Sequence, residues 1–138
     1  MKQLNLSILA LLLIGCSYAQ EPARESKKLH IEIDYFHRTT RCETCMSIQE
    51  NIQKVLDQYF TDEIKSGKLS FHIIDYQENE DSTKINKYEV EAPTLVITKI
   101  KKGKEKSKDL TEFAFDTSLH NGQVFRDGFR DEINEMFR

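Results

Sequence analysis

The stretch "HRTTRCETCMSIQ", residues 37–49, holds two of the chain's three cysteines, Cys42 and Cys45, separated by two residues where an amphipathic helix begins. Two thiols at this spacing can exchange disulfides, bind a metal ion or form a structural staple. "TRCE", Thr40 to Glu43, fits a capping box, which predicts Thr40 at the N-cap and Cys42 in the first helical turn. Free backbone N–H groups and the positive end of the helix dipole favour a thiolate there, and the thiolate is the attacking species in disulfide exchange. Cys45 lies one turn deeper on the same face, within reach of a mixed disulfide formed at Cys42. The spacing therefore predicts Cys42 as nucleophile and Cys45 as resolving thiol. Arg41 lowers the thiol pKa and Glu43 raises it, so the flanking charges oppose one another and leave the direction of electron flow open.

Two other chemistries compete. A loop this small gains little from closing a permanent staple. Cys42, Cys45 and Met46 together offer the soft ligands that copper(I) selects. A zinc site needs two more ligands, and His30, His37, His72 and His120 show no spacing that supplies them.

The third cysteine belongs to a different part of the chain. "MKQLNLSILALLLIGCSYAQ" places Lys2 before an apolar run from Leu6 to Ile14, followed by small residues, and reads as an export signal. The run is shorter than the roughly 20 apolar residues a bilayer-spanning helix requires. Ser17-Tyr18-Ala19 before Gln20 suits cleavage of a signal over residues 1–19. "LIGC" resembles a lipoprotein box, with a signal over 1–15 and a lipidated Cys16. Either outcome leaves Cys42 and Cys45 as the only thiols for chemistry. Cleavage before Gln20 removes only the charge of Lys2, taking the formal charge from −3 to −4. The expected location is the periplasm or cell envelope, with membrane contact only through a lipid on Cys16.

At 138 residues, 38% hydrophobic and 31% charged, the chain has the length and composition of one globular domain. Its acidic balance argues against nucleic-acid binding, which needs a basic surface. A polar tether over 20–28 precedes a domain expected over 29–138.

The elements that must position the cysteines follow from periodicity. "LHIEIDYFH" alternates as a strand. Cys45, Ile48, Ile52, Val55, Leu56, Tyr59 and Phe60 keep the spacing of a buried helical stripe, with Gly67 placed to end the run. "LSFHIIDY" makes a second strand. "NEDSTKINKYEV" predicts a short helix capped by Asp81 or Ser82, and "APTLVITKI" a central strand starting at Pro93. "KIKKGKEKSKD", centred on Gly103, leads into "LTEFAF" as a hairpin of two antiparallel strands. Its lysines read first as protection of an edge strand, with a docking patch as the second reading. Phe125, Phe129, Ile133 and Met136 predict a last helix covering the sheet. The order is β-α-β-α-β-β-α: an α/β fold with a mixed four-stranded sheet and flanking helices.

Strand, "CETC" at a helix start and then "YEVEAPTLVI" together resemble the thioredoxin-like superfamily over about residues 29–137. The resemblance implies a cis bond at Pro93. It also implies that Ala92, Pro93 and Thr94 face the cysteines and position an incoming chain. "YFHRTTRCETC" looks most like the exported nitrophenyl compound nitroreductase subunit ArsF family, which implies service to a reductive pathway, although no flavin or nicotinamide motif accompanies it. Thioredoxins have tryptophan before the first cysteine and Gly-Pro between the two; this chain has Arg41, then Glu43 and Thr44. "DYFH" resembles the segment holding the superfamily's buried acid, which makes Asp34 a candidate for tuning the thiol pKa. The function expected is thiol-disulfide oxidoreduction on an envelope protein, recycled by a separate redox donor, with no cofactor beyond the dithiol. A copper(I) carrier or a non-catalytic redox-sensing accessory subunit is the alternative.

Overall fold

A computed structural model of the chain describes residues 28–78 and 80–138. The signal, Cys16 and most of the tether lie outside the described residues. Four strands, β1 (His30–His37), β2 (Leu69–Asp75), β3 (Thr94–Lys101) and β4 (Lys104–Asp109), form one mixed sheet in the order β2-β1-β3-β4. The helices are α1 (Glu43–Tyr59), α2 (Thr61–Lys65), α3 (Ser82–Lys87), α4 (Thr111–Thr117) and α5 (Gly122–Phe137). Among the described residues, no helix is long and apolar enough to cross a membrane.

β1 and β2 run parallel, with Ile31 opposite Leu69, and parallel pairing requires a long crossover. α1 and α2 supply it. The crossover ends in a glycine-bearing Schellman turn: the Gly67 N–H donates to Ile64 O at 3.0 Å and the Lys68 N–H to Glu63 O at 2.8 Å. Gly67 takes φ +70°, which a residue with a Cβ adopts only under strain. β3 lies antiparallel to β1, with Ile33 opposite Ile97.

Alternation along β1 sends Ile31, Ile33 and Tyr35 into the main core and Asp34 and Phe36 to the other face. Ile48, Ile52, Val55 and Leu56 of α1 meet Phe125, Phe129, Ile133 and Met136 of α5 over the first face. Phe113, Phe125 and Phe129 stack there with centroids 5.5 and 5.4 Å apart. On the second face Phe36, Ile74 and Val90 form a smaller cluster with Tyr76, Ile85 and Tyr88 around α3.

Three expectations need correction. "LTEFAF" is helix α4, not strand. β4 stops at Asp109, whose carboxylate accepts from the Thr111 N–H at 2.7 Å, and Leu110 and Ala114 are buried four residues apart, so helical spacing prevails over the apparent alternation of Phe113 and Phe115. The apolar stripe of α1 does not include Tyr59, which is exposed and lies under the Arg130 guanidinium; Phe60 interrupts the helix and is buried beyond it. The Ala92–Pro93 bond is trans, since no cis peptide bond occurs among the described residues. Trans is the isomer that X–Pro bonds favour by about 0.5–1 kcal/mol.

Phe125 is fully buried in the middle of the aromatic stack. Phe125→Ala is expected to lower unfolding free energy by about 3–5 kcal/mol, read as a reduced urea midpoint with an unchanged slope.

Candidate functional site

The C-terminal end of β1 delivers the chain into a short loop, residues 38–42, that opens helix α1. Neighbouring groups strap this loop down. The Arg38 Nε–H donates to the Tyr76 hydroxyl at 2.9 Å, and the Thr39 N–H donates to the Gln77 side-chain oxygen at 3.2 Å. His37 Nδ1 lies 2.8 Å from the Arg38 carbonyl, a bond in which the ring N–H donates.

Cys42 and Cys45 are joined as a disulfide with Cα atoms 5.0 Å apart. Cys42 is the N-cap itself, with extended backbone (φ −87°, ψ 163°), and its Sγ accepts from the Cys45 N–H at 3.1 Å. The expected capping box is therefore displaced by two residues: sulfur does the work assigned to the Thr40 hydroxyl, and Thr40 stays exposed in the loop. Glu43, the first helical residue, is exposed near the positive end of the helix dipole. Cys42 is exposed to solvent, whereas Cys45 is 3% exposed. One sulfur is open to attack and the other sits against the core.

Tyr35 ties this turn to the sheet. Its hydroxyl, from the core face of β1, donates to the Cys45 carbonyl at 2.9 Å. Arg41 also reaches that carbonyl, at 3.3 Å, bonds the Gln49 side chain, and places its guanidinium 5.7 Å from the centroid of the Tyr35 ring. Burial raises the Tyr35 pKa above the ordinary tyrosine value, with the Arg41 charge working against the rise. Sequence reasoning treated Tyr35 only as a strand position. Its parity on β1, shared with Ile31 and Ile33, is the signal that places it under the helix.

Asp34 is not brought to the cysteines. It points to the opposite face from Tyr35, where Oδ1 lies 2.8 Å from His72 Nδ1 and 2.5 Å from Lys84 Nζ; Lys84 also reaches Glu32 at 3.2 Å. Burial pulls the Lys84 pKa down, but Asp34 and then Glu32 outweigh it and hold it above the ordinary lysine value. Asp34 thus anchors α3 through Lys84 and does not border the dithiol. Ala92, Pro93 and Thr94 lie at the same end of the sheet as the cysteine loop, because Thr94 is opposite Phe36. The Ala92 carbonyl accepts from the Thr94 hydroxyl at 2.8 Å. Among the described residues no group of three or more His, Cys, Asp or Glu side chains is placed to hold a metal ion. Met46, the third soft ligand read from the sequence, is 53% exposed beside the pair.

The mixed sheet with a Cys42–Cys45 disulfide at the start of α1 is consistent with a thioredoxin-like fold. No protein-family model matches the chain, and no curated protein matches it either. Among solved structures nine chains match. One, described as "Structure of a malarial protein", is 16% identical with a TM-score of 0.43, the match covering 72% of this chain and 96% of that one.

Tyr35→Phe removes one buried hydrogen bond at the dithiol turn and is expected to cost about 1 kcal/mol in urea unfolding. A raised lysine pKa contributes stability that is complete below the unfolded value of about 10.4 and is lost as pH rises through the folded value. Unfolding free energy is therefore expected to fall on the alkaline side, with Tyr35 contributing in the same direction. Lys84→Met should be less stable at neutral pH and show a shallower alkaline decline, measured by urea midpoints across the lysine range.

Proposed function

We propose that this chain is a thiol-disulfide oxidoreductase of the thioredoxin-like superfamily, acting through Cys42 and Cys45 on cysteines of another protein. The observation that carries this reading is the asymmetry of the pair: Cys42 exposed at the N-cap of a 17-residue helix, Cys45 buried one turn below. A staple or a symmetric metal clamp has no need of that asymmetry. Exchange at an exposed sulfur backed by a shielded partner depends on it.

In the disulfide form, a client thiolate attacks Cys42 Sγ, the Cys42–Cys45 bond breaks, and Cys45 leaves as thiolate. A second client thiolate then attacks its own cysteine's sulfur in the mixed disulfide, forming the client disulfide and releasing Cys42. The pair gains the two electrons that the client loses. The reverse sequence starts with Cys42 thiolate attacking a client disulfide, and Cys45 resolves the mixed species. The N–H of Cys45, already directed at Cys42 Sγ, stabilises the thiolate in either direction. Ala92, Pro93 and Thr94 are the proposed positioning segment for the client backbone. The apolar N-terminal stretch read as an export signal supports the cell envelope as the proposed compartment and an envelope protein as the client.

A glutathione redox titration, with the alkylation state of both cysteines read by mass, tests the proposal. A single two-electron transition is expected between about −270 mV, a reductant, and about −120 mV, an oxidant. Cys45→Ser should accumulate a mixed disulfide at Cys42 that Cys42→Ser abolishes. No titration in that range, together with stoichiometric copper(I) uptake by the reduced pair, would replace exchange with metal carriage.

A further inference from the structure

The end of the sheet farthest from Cys42 is where β1 and β2 begin and where β3 turns into β4, with Ile31 opposite Leu69 and His30 opposite Ile100. Lys99, Lys101, Lys102, Lys104 and Lys106 crowd into this one hairpin. Lys99 is directly opposite Lys106, and Lys101 directly opposite Lys104. Opposed residues in an antiparallel ladder share a face, and so do residues two apart, so these four ammonium groups project from the same side. Like charges in opposed positions repel one another. Among the described residues none of the four forms an ion pair: Glu105 pairs with Lys87, and Lys108 with Glu132.

Edge protection does not account for this arrangement. It explains lysines on β4, whose outer side is open. β3 is an interior strand with a partner on each side, so Lys99 and Lys101 guard no edge. At the tip, Lys102 and Gly103 both have positive φ (+54° and +73°) in a two-residue hairpin turn, a geometry suited to Asn or Gly at its first position. Lysine at position 102 adds charge against the preference of the backbone.

We propose that this end of the domain docks on a membrane surface of anionic phospholipid head groups. Two observations select lipid over an acidic strand added to β4. The charges spread over both strands and the turn and cap the end of the sheet, whereas an added strand would run beside β4 alone. The preceding chain also joins the domain at this end: Lys28 lies with His30, Gly67 and Lys68 around one surface cleft. A lipidated Cys16, one of the two processing outcomes read from the sequence, would hold the domain by this same end. Docked through this hairpin, the domain leaves Cys42, at the opposite end of the sheet, outside the contact, and the inference stands independently of the redox reading.

The test uses the chain from Gln20 onward, which lacks any lipid and contains every residue of both cores. Co-sedimentation is measured with vesicles of phosphatidylcholine mixed with phosphatidylglycerol, and with phosphatidylcholine alone. Binding is expected on the anionic vesicles only, weakening as salt rises. The quadruple variant Lys99→Gln, Lys101→Gln, Lys104→Gln, Lys106→Gln should lower the partition constant roughly tenfold or more. Lys54→Gln, on α1, should leave it unchanged. The quadruple variant should melt at the same temperature or higher, because repulsion is removed, so lost binding would not reflect lost folding. Equal vesicle binding by wild type and quadruple variant would overturn the proposal. So would absence of binding at low salt with capture of an oligoglutamate peptide instead, which would assign the patch to an acidic protein segment.

Discussion

β1 is buried on both faces, and the position of the dithiol depends on that burial. Ile31, Ile33 and Tyr35 are fully buried in one core, while Asp34 and Phe36 are fully buried on the other side. A register slip of one residue would turn a carboxylate into the aromatic core and Tyr35 out of it, so one pairing register is strongly selected. That register determines where the chain leaves the sheet after His37 and where α1 starts. The Tyr35 hydroxyl then reaches the Cys45 carbonyl, tying the first turn of the helix to the strand whose register placed it.

The second face is held by different physics. α3 contributes no fully buried residue, so its attachment rests on half-buried Ile85, on Tyr88 and on Lys84 spanning Asp34, Glu32 and His72. A buried carboxylate is tolerable only with partners of this kind, and among the described residues one of its oxygens, Oδ2, has no hydrogen-bond partner. The segment that follows α3 leads through Val90 to Ala92 and Pro93 at the dithiol end. The Asp34 cluster therefore lies across the sheet from the cysteines and seats the chain that approaches them.

The sheet separates two chemistries by its own length. At one end are the cysteine loop and the Pro93 segment; at the other are the hairpin lysines and the entry of the chain at Lys28. The hairpin gains little from packing, since every residue of β4 is exposed, which frees its composition to be set by charge.

Local pattern was enough for what depends on neighbours in the chain. Three-and-four spacing marked α1 and α5, alternation marked β1 and β2, and the two-residue gap placed Cys45 one turn beyond Cys42. Contacts between distant segments were not legible in the same way. Phe113 and Phe115 alternate like a strand, yet Leu110 and Ala114 turn that stretch into α4 because α1 and α5 offer it an apolar surface. Thr40 and Glu43 have the spacing of a capping box, but the strapped loop brings the Cys42 sulfur to the cap instead. Asp34 stands near the cysteines in sequence, and strand parity carries it to the other face. By itself the sequence determined which two cysteines could act as a pair and how far apart they stand along a helix. Only the tertiary structure decided which sulfur faces water and which groups surround the pair, because burial and partnership arise where segments remote in the chain meet.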